Sequence, residues 1–204
     1  MVLVTVVAGS SIVFNPAELI IPQESSGTVN IRIEHITDLA GFEWTLTFNP
    51  QVLEVVDVTE GNFLKQDGGS TFTPEPEIDN GNGIVSFASG RIAPGGVDGS
   101  GVLAQIRFEA QQAGESSLVL NDVKLSDSSA NKISAIINSG SVSVPKFPPW
   151  DVNLDGVVNI FDIVIVGQNF GMETDTRADV NNDGVVSIFD LVLIGSHFGE
   201  VVAP

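Results

Sequence analysis

Asp151-Val-Asn153-Leu-Asp155-Gly156-Val-Val-Asn159-Ile-Phe-Asp162 returns 28 residues later as Asp179-Val-Asn181-Asn-Asp183-Gly184-Val-Val-Ser187-Ile-Phe-Asp190. Carried on to Phe170-Gly171 and Phe198-Gly199, the two 21-residue copies agree at 14 positions, which marks an internal repeat. Each copy has the spacing of a calcium loop, with side-chain oxygens at positions one, three and five, a carbonyl at seven, a turn glycine at six and a carboxylate at twelve. The first copy offers Asp151, Asn153, Asp155, the Val157 carbonyl and Asp162, with Asn159 at position nine. The second offers Asp179, Asn181, Asp183, the Val185 carbonyl and Asp190, with Ser187 at position nine. A hard, oxygen-only set of this kind favours calcium, one ion per loop, over zinc or copper. Both loops close with Asp where EF-hands at large close with Glu.

Each loop leads into an apolar stretch, Ile160 to Phe170 and Ile188 to Phe198, followed by glycine, which predicts an exiting helix. The segments ahead of the loops, Pro145 to Trp150 and Met172 to Ala178, are too proline-rich or too short and polar for an entering helix.

Residues 151–199 resemble a dockerin, the calcium-binding module of cellulosome-type assemblies. The resemblance implies two loop–helix units related by a near two-fold axis, and docking onto a cohesin domain. It also places partner-reading residues at loop positions ten and eleven, here Ile160, Phe161, Ile188 and Phe189. Many dockerins carry Lys or Arg further along each helix; this chain has Gly167-Gln168 and Gly195-Ser196, which suggests a mainly hydrophobic interface. In some members an aromatic near the start clasps a proline at the end, a part open to Trp150 and Pro204.

Upstream, the dominant period is two. Val29-Asn-Ile31-Arg-Ile33, Phe42-Glu-Trp44-Thr-Leu46-Thr-Phe48 and Ala104-Gln-Ile106-Arg-Phe108 alternate as strands with one buried face do. Turn clusters such as Asn49-Pro50 and Asn80-Gly81-Asn82-Gly83 separate them. The pattern predicts about nine short strands in a β-sandwich whose core holds Phe42, Trp44, Phe48, Phe87, Ile106 and Phe108. Residues 11–145 resemble a cohesin domain through Gly41-Phe42-Glu-Trp44-Thr-Leu46-Thr-Phe48-Asn-Pro50 with Val52-Leu-Glu-Val-Val56 behind it, and through Gly101-Val-Leu103-Ala-Gln-Ile106-Arg-Phe108. That implies a mainly β, jelly-roll sandwich with one sheet face that receives a dockerin.

The expected layout is a cohesin-like sandwich over 1–144, a Pro-rich linker over 145–150 and a dockerin-like module of two calcium loop–helix units over 151–204. Three prolines in the linker make it stiff.

A net charge of −18 argues against nucleic-acid or anionic-membrane partners. There is no cysteine, hence no disulfide or thiolate metal site. No apolar run reaches transmembrane length; Met1 to Ala8 is apolar but lacks the charged start of a signal peptide. Glu75, Glu77 and Asp79 lie in a proline-containing stretch and are read as a solvated loop rather than glycosidase carboxylates. His35 and His197 are isolated and read as ordinary residues. The expectation is a non-catalytic, secreted or cell-surface scaffolding protein whose partners are cohesin and dockerin domains of other chains, with self-association in trans as one form. Polysaccharide degradation is the context the resemblance suggests. The competing class is a calcium-stabilised adhesion or carbohydrate-binding module.

Overall fold

Alternating apolar and polar residues give the first part of the chain its strands. The structure, a computed structural model, describes residues 9–173 and 176–202. The apolar start, 1–8, and Pro204 of the expected clasp therefore lie outside the described residues. The chain divides into two units, Met1–Val144 and Pro145–Pro204, so the proline-rich segment belongs with the second.

The first unit runs β1 (Ser11–Asn15), β2 (Glu18–Ile20), β3 (Ser26–Thr47), β4 (Leu53–Glu60), β5 (Thr71–Phe72), β6 (Glu77–Asp79), β7 (Ile84–Arg91), β8 (Val97–Ala110), β9 (Gly114–Asp127), β10 (Lys132–Ile133), β11 (Ile136–Ile137) and β12 (Gly140–Val144). That is more strands than expected, and three of them are long. Val29–Ile33 and Phe42–Phe48 were expected as separate strands, yet β3 carries the chain through 22 residues without a break. His35 and Asp38 each take a φ of 54°, and the pairing with β8 slips between Ile33 and Ile36 and again between Ile36 and Leu39. Bulges of this kind bend a strand without ending it.

The bend carries β3 from one layer to the other. Its first half pairs with β1 and β8, its second with β7 and β9. Beyond these, β4 lies on β8, while β9 continues to β12 and then β2. Hydrogen bonds thus link all twelve strands among the described residues.

Between the layers lies the core. All six residues expected there are buried, with Trp44, Ile106 and Phe108 at 0 % exposure. Trp44 packs on Phe87 with ring centroids 5.6 Å apart, and Phe48 meets Phe108 edge-on at 5.9 Å. Trp44→Ala is expected to cost about 3–5 kcal/mol, read as a lower urea midpoint for the sandwich. A midpoint equal to the parent's would remove Trp44 from the centre of the core.

The loop Asn62 to Ser70 is tied down by one arginine. Arg91, with its side chain 2 % exposed, forks onto Asp67 at 2.7 and 2.9 Å, donates to the Gly95 carbonyl at 2.9 Å and also reaches the Leu64 carbonyl. The Arg91 hydrogen bonds, helped by the Gly69 N–H, hold the Asp67 carboxyl at about 2, below its usual 3.8. A depressed carboxylate stabilises the fold above its unfolded value and stops doing so as pH falls through the folded one. Sandwich stability should therefore decline from about pH 4 towards pH 2, and Asp67→Asn should flatten that limb in urea melts at graded pH. An unchanged acid limb would remove this pair as its source.

At the β6–β7 turn, Gly83 takes a φ of 67°, and a Cβ there would fall 2.2 Å from the Phe48 carbonyl oxygen, so only glycine fits. Asp79 accepts both the Asn82 N–H and its amide at 3.1 and 2.7 Å, spending its carboxylate on the turn. Glu75 and Glu77 are exposed.

In the second unit the two apolar stretches become α1 (Ile160–Gln168) and α2 (Ile188–Ser196). Both end before Phe170 and Phe198, and the glycines that follow, Gly171 and Gly199, take φ of 83° and 89°. Val152, Val158, Val166, Ala178, Val180, Val186 and Ile194 form a small core between them. The repeat symmetry is written in the backbone. Gly171 N–H donates to the Val186 carbonyl and Val186 N–H to that of Met172, at 2.7 and 3.0 Å. Shifted by one repeat, Gly199 N–H donates to Val158 and Val158 N–H to Glu200, at 2.8 and 2.9 Å. Each loop is thus paired with the chain leaving the other repeat's helix.

Candidate calcium loops and docking face

The twelfth-position aspartates organise both loops. Asp162 is fully buried; its Oδ1 accepts the Val152 and Asn153 N–H groups at 2.8 and 3.1 Å, and its Oδ2 accepts Asn159 N–H at 2.8 Å. Asp190, equally buried, accepts Asn181 N–H at 3.0 Å and Ser187 N–H at 2.7 Å. Burial alone would push Asp190 up, but the N–H groups of Ser187 and Asn181 outweigh it and hold the carboxyl below its usual value. These acids staple the start of each loop to the start of its helix.

Position nine has a second duty. Asn159 Oδ1 accepts Phe161 N–H at 2.8 Å and Ser187 Oγ accepts Phe189 N–H at 3.2 Å. Each forms a capping box with its twelfth-position Asp. The signal was present as Asn-x-x-Asp and Ser-x-x-Asp, read first as ligand spacing. Ser187→Ala is expected to destabilise the module by about 1 kcal/mol, seen as a lower melting temperature of its transition. No change would mean that the cap is dispensable.

Positions three and five pair within each loop. The Asn153 amide donates to Asp155 at 2.8 Å and the Asn181 amide to Asp183 at 2.9 Å. Asp155 and Asp183 in turn accept the N–H groups of Val157 and Val185 at 2.8 and 3.0 Å. At position one, Asp151 Oδ2 accepts Gly156 N–H at 3.0 Å and Asp179 Oδ2 accepts Gly184 N–H at 2.7 Å.

Among the described residues no three His, Cys, Asp or Glu side chains converge tightly enough to form a metal cage by themselves. The loops offer a different set, in which amide and carbonyl oxygens make up the shell. One observation fits a hard cation directly: Asp151 Oδ1 is buried and has no hydrogen-bond partner among the described residues. Desolvation pushes the Asp151 carboxyl up against the Gly156 N–H, and the charges of Asp162 and Asp155 add to the rise. A divalent cation would remove that strain.

The residues at positions ten and eleven are solvent-facing. Ile160 and Phe161 are 55 % and 63 % exposed, Ile188 and Phe189 55 % and 68 %. Val164 and Val192, one turn on, extend the same apolar face and are also exposed. Helical spacing in the two apolar stretches could have marked these valines.

Trp150 stacks flat on His197, centroids 3.7 Å apart and planes 3° from parallel, and His197 Nδ1 lies 3.0 Å from Glu200. His197 thus has a structural role that its isolation in the sequence concealed. It joins the beginning of the module to the end of α2.

On the sandwich, an open groove of ≈ 450 Å³ lies over β3, β7 and β9, lined by Phe42, Ala88 and Leu125 with Glu43, Lys124 and Lys132 at its rim. Lys124 and Glu43 pair there at 2.8 Å.

A β-sandwich followed by a duplicated loop–helix module is the architecture of a two-module chain, and both modules have family models. The cohesin domain model matches residues 22–144 and the dockerin type I domain model residues 149–198, so the chain belongs to the cohesin family and carries a dockerin domain behind its cohesin domain. Together they mark a cellulosome-type protein–protein interaction scaffold. Dockerin type I domains bind calcium as a family.

Similar structures include a non-cellulosomal cohesin from the hyperthermophilic archaeon Archaeoglobus fulgidus, at 18 % identity and TM-score 0.57 over 68 % of this chain and 93 % of that one. A chain of a type I cohesin–dockerin complex from Clostridium thermocellum matches at 12 % identity and TM-score 0.57, over 67 % of this chain and 99 % of its own. The second type II cohesin module of an adaptor scaffoldin from Acetivibrio cellulolyticus matches at 15 % and 0.56, over 70 % and 94 %. At these identities the likeness shows the fold. No curated protein matches the chain.

Proposed function

We propose that this chain is a calcium-dependent connector of extracellular assemblies, plugging into a cohesin domain of another chain through its dockerin and receiving another chain's dockerin on its own sandwich. The observation that carries the reading is the duplicated apolar face, Ile160-Phe161 and Ile188-Phe189, exposed at the start of two helices that each grow out of a calcium-type loop. Two calcium ions would be held by Asp151, Asn153, Asp155, the Val157 carbonyl and Asp162, and by Asp179, Asn181, Asp183, the Val185 carbonyl and Asp190. Asn159 and Ser187 cap the helices and stand beside those shells. The ion supplies charge balance and a fixed loop geometry; the chemistry is structural. The capping boxes then hold each helix start, and with it the apolar pair, in a set place.

The groove at Phe42, Leu125 and Lys124 is the face of the sandwich that we assign to an incoming dockerin. It combines an apolar floor with a lysine rim, suited to a module that has nine acids and one arginine over 151–204. Polysaccharide-degrading complexes are the context in which such a connector would work.

Light scattering on the full chain, alone and mixed with isolated cohesin domains, with calcium and then with chelator, tests the reading. A complex that forms in calcium and returns to 21.5 kDa in chelator supports it. A monomer under every condition, with a panel of cohesins of both types, would overturn it. Growth of mass without added cohesin would identify a second copy as partner.

A further inference from the structure

The two loops agree at most positions, yet the structure makes them unequal at one place. Asp151 is fully buried and its Oδ1 has no hydrogen-bond partner among the described residues. Its counterpart Asp179 is 7 % exposed, and its Oδ1 shares the Asp183 N–H, at 3.1 Å, with Asn181 Oδ1 at 3.0 Å, whereas the matching Asp155 N–H hydrogen-bonds Asn153 Oδ1, at 3.0 Å. The approach to the loops differs as well. Two residues before Asp179 stands Arg177, where the first copy has Pro149. Arg177 is the one Lys or Arg in 151–204, against nine Asp and Glu. It is half-buried, and its Nη2 donates to the Asp151 carbonyl at 3.4 Å. The second repeat therefore holds the first residue of the first loop.

We propose that calcium fills the loops in order, 151–162 ahead of 179–190, and that Arg177 is the positioning residue that makes the first loop the tighter site. The inference rests on reading the loops as calcium sites and adds their order and its cause. A buried carboxylate oxygen without a partner carries an uncompensated desolvation cost, which a cation removes outright. In the second loop the Asp183 N–H, shared between Asp179 Oδ1 and Asn181 Oδ1, already meets part of that cost, so a cation has less to relieve. Arg177 bonds the backbone carbonyl of Asp151 and leaves the side chain free. It fixes the ligand's place without competing for the ligand's oxygens, as outer partners of metal ligands do.

The metal-free full chain, titrated with terbium(III) in place of calcium and excited through indole, reads the order, because Trp150 adjoins Asp151 in the first loop. A parallel calorimetric titration with calcium counts the steps. We expect indole-sensitised emission to reach its plateau near the first equivalent, and calorimetry to resolve two steps. Asp190→Asn should remove the second step and leave the first. Arg177→Ala should weaken the first step about 10-fold or more and merge the two, while Arg177→Lys recovers part of the loss. Helical circular dichroism in saturating calcium reports whether each variant folds. Should Arg177→Ala lose that signal, Arg177→Lys decides, and an unchanged first step overturns the brace. Emission that rises evenly over two equivalents overturns the order while leaving the calcium reading intact. Absence of any bound terbium or calcium overturns both.

Discussion

In excess chelator, calorimetry of this chain is expected to lose the melting transition of residues 145–204 and to keep that of the sandwich. The reason is size and charge. The module's core is seven small or branched side chains, and a unit of this length is marginal on its apolar burial alone. Three aspartates crowd each loop, and Asp151 has a buried oxygen that no described residue hydrogen-bonds. Calcium binding is then folding free energy for the module. The sandwich draws on a far larger core and on none of the carboxylates of the two candidate calcium loops. Far-ultraviolet dichroism should show loss of the helical signal in chelator and its return when calcium is restored. A module that keeps its helices and its transition without calcium would sink the structural role of the ion.

The second large effect concerns the docking face. Ile160→Asp together with Ile188→Asp should abolish docking: the near two-fold repeat would let either copy's apolar pair face the partner, and the double change buries a charge against an apolar surface in both orientations. Truncation of a central apolar anchor typically costs about 2 kcal/mol or more, roughly 30-fold in affinity, and a buried, unpaired carboxylate costs more. Either substitution alone should weaken binding little, since the repeat leaves the other copy's face intact. Surface plasmon resonance over immobilised cohesin domains distinguishes these cases. Full loss from one substitution alone would mean a single docking orientation, and retained binding by the double variant would move the interface elsewhere. Both residues are exposed, so neither change should disturb the fold of the module.

Much of the candidate site was legible because a loop of this type is a local device. Candidate ligand types, the turn glycine and the exiting helix follow one another within 21 residues, and the structure places the helix and the turn where the spacing put them. The caps were legible too, but the same residues answered to two readings, and ligand spacing took precedence over Asn159-x-x-Asp162 as a helix start. The pairing of Trp150 with His197 was hidden because stacking across a fold leaves no periodic trace in the sequence. In the sandwich, alternation placed Trp44 and Phe108 in the core. It could not show that β3 runs unbroken, because His35 and Asp38 interrupt the period as a turn would. Only pairing with β8 across the bulges reveals that the strand bends instead of stopping.

The reciprocal pairing of the repeats redraws the edge of the module. The dockerin domain match stops at residue 198, yet the Val158 N–H donates to the Glu200 carbonyl and the Val202 N–H to that of Gly156, both at 2.9 Å. The chain after the second helix is thus the outer wall of the first loop. A portable tag cut at Phe198 would keep all twelve candidate ligand positions and still undo one half of the duplication's handshake, leaving the first loop open to water. Carrying the tag through Val202 preserves the closure, and a fusion placed at that end would sit beside the first calcium loop rather than the second.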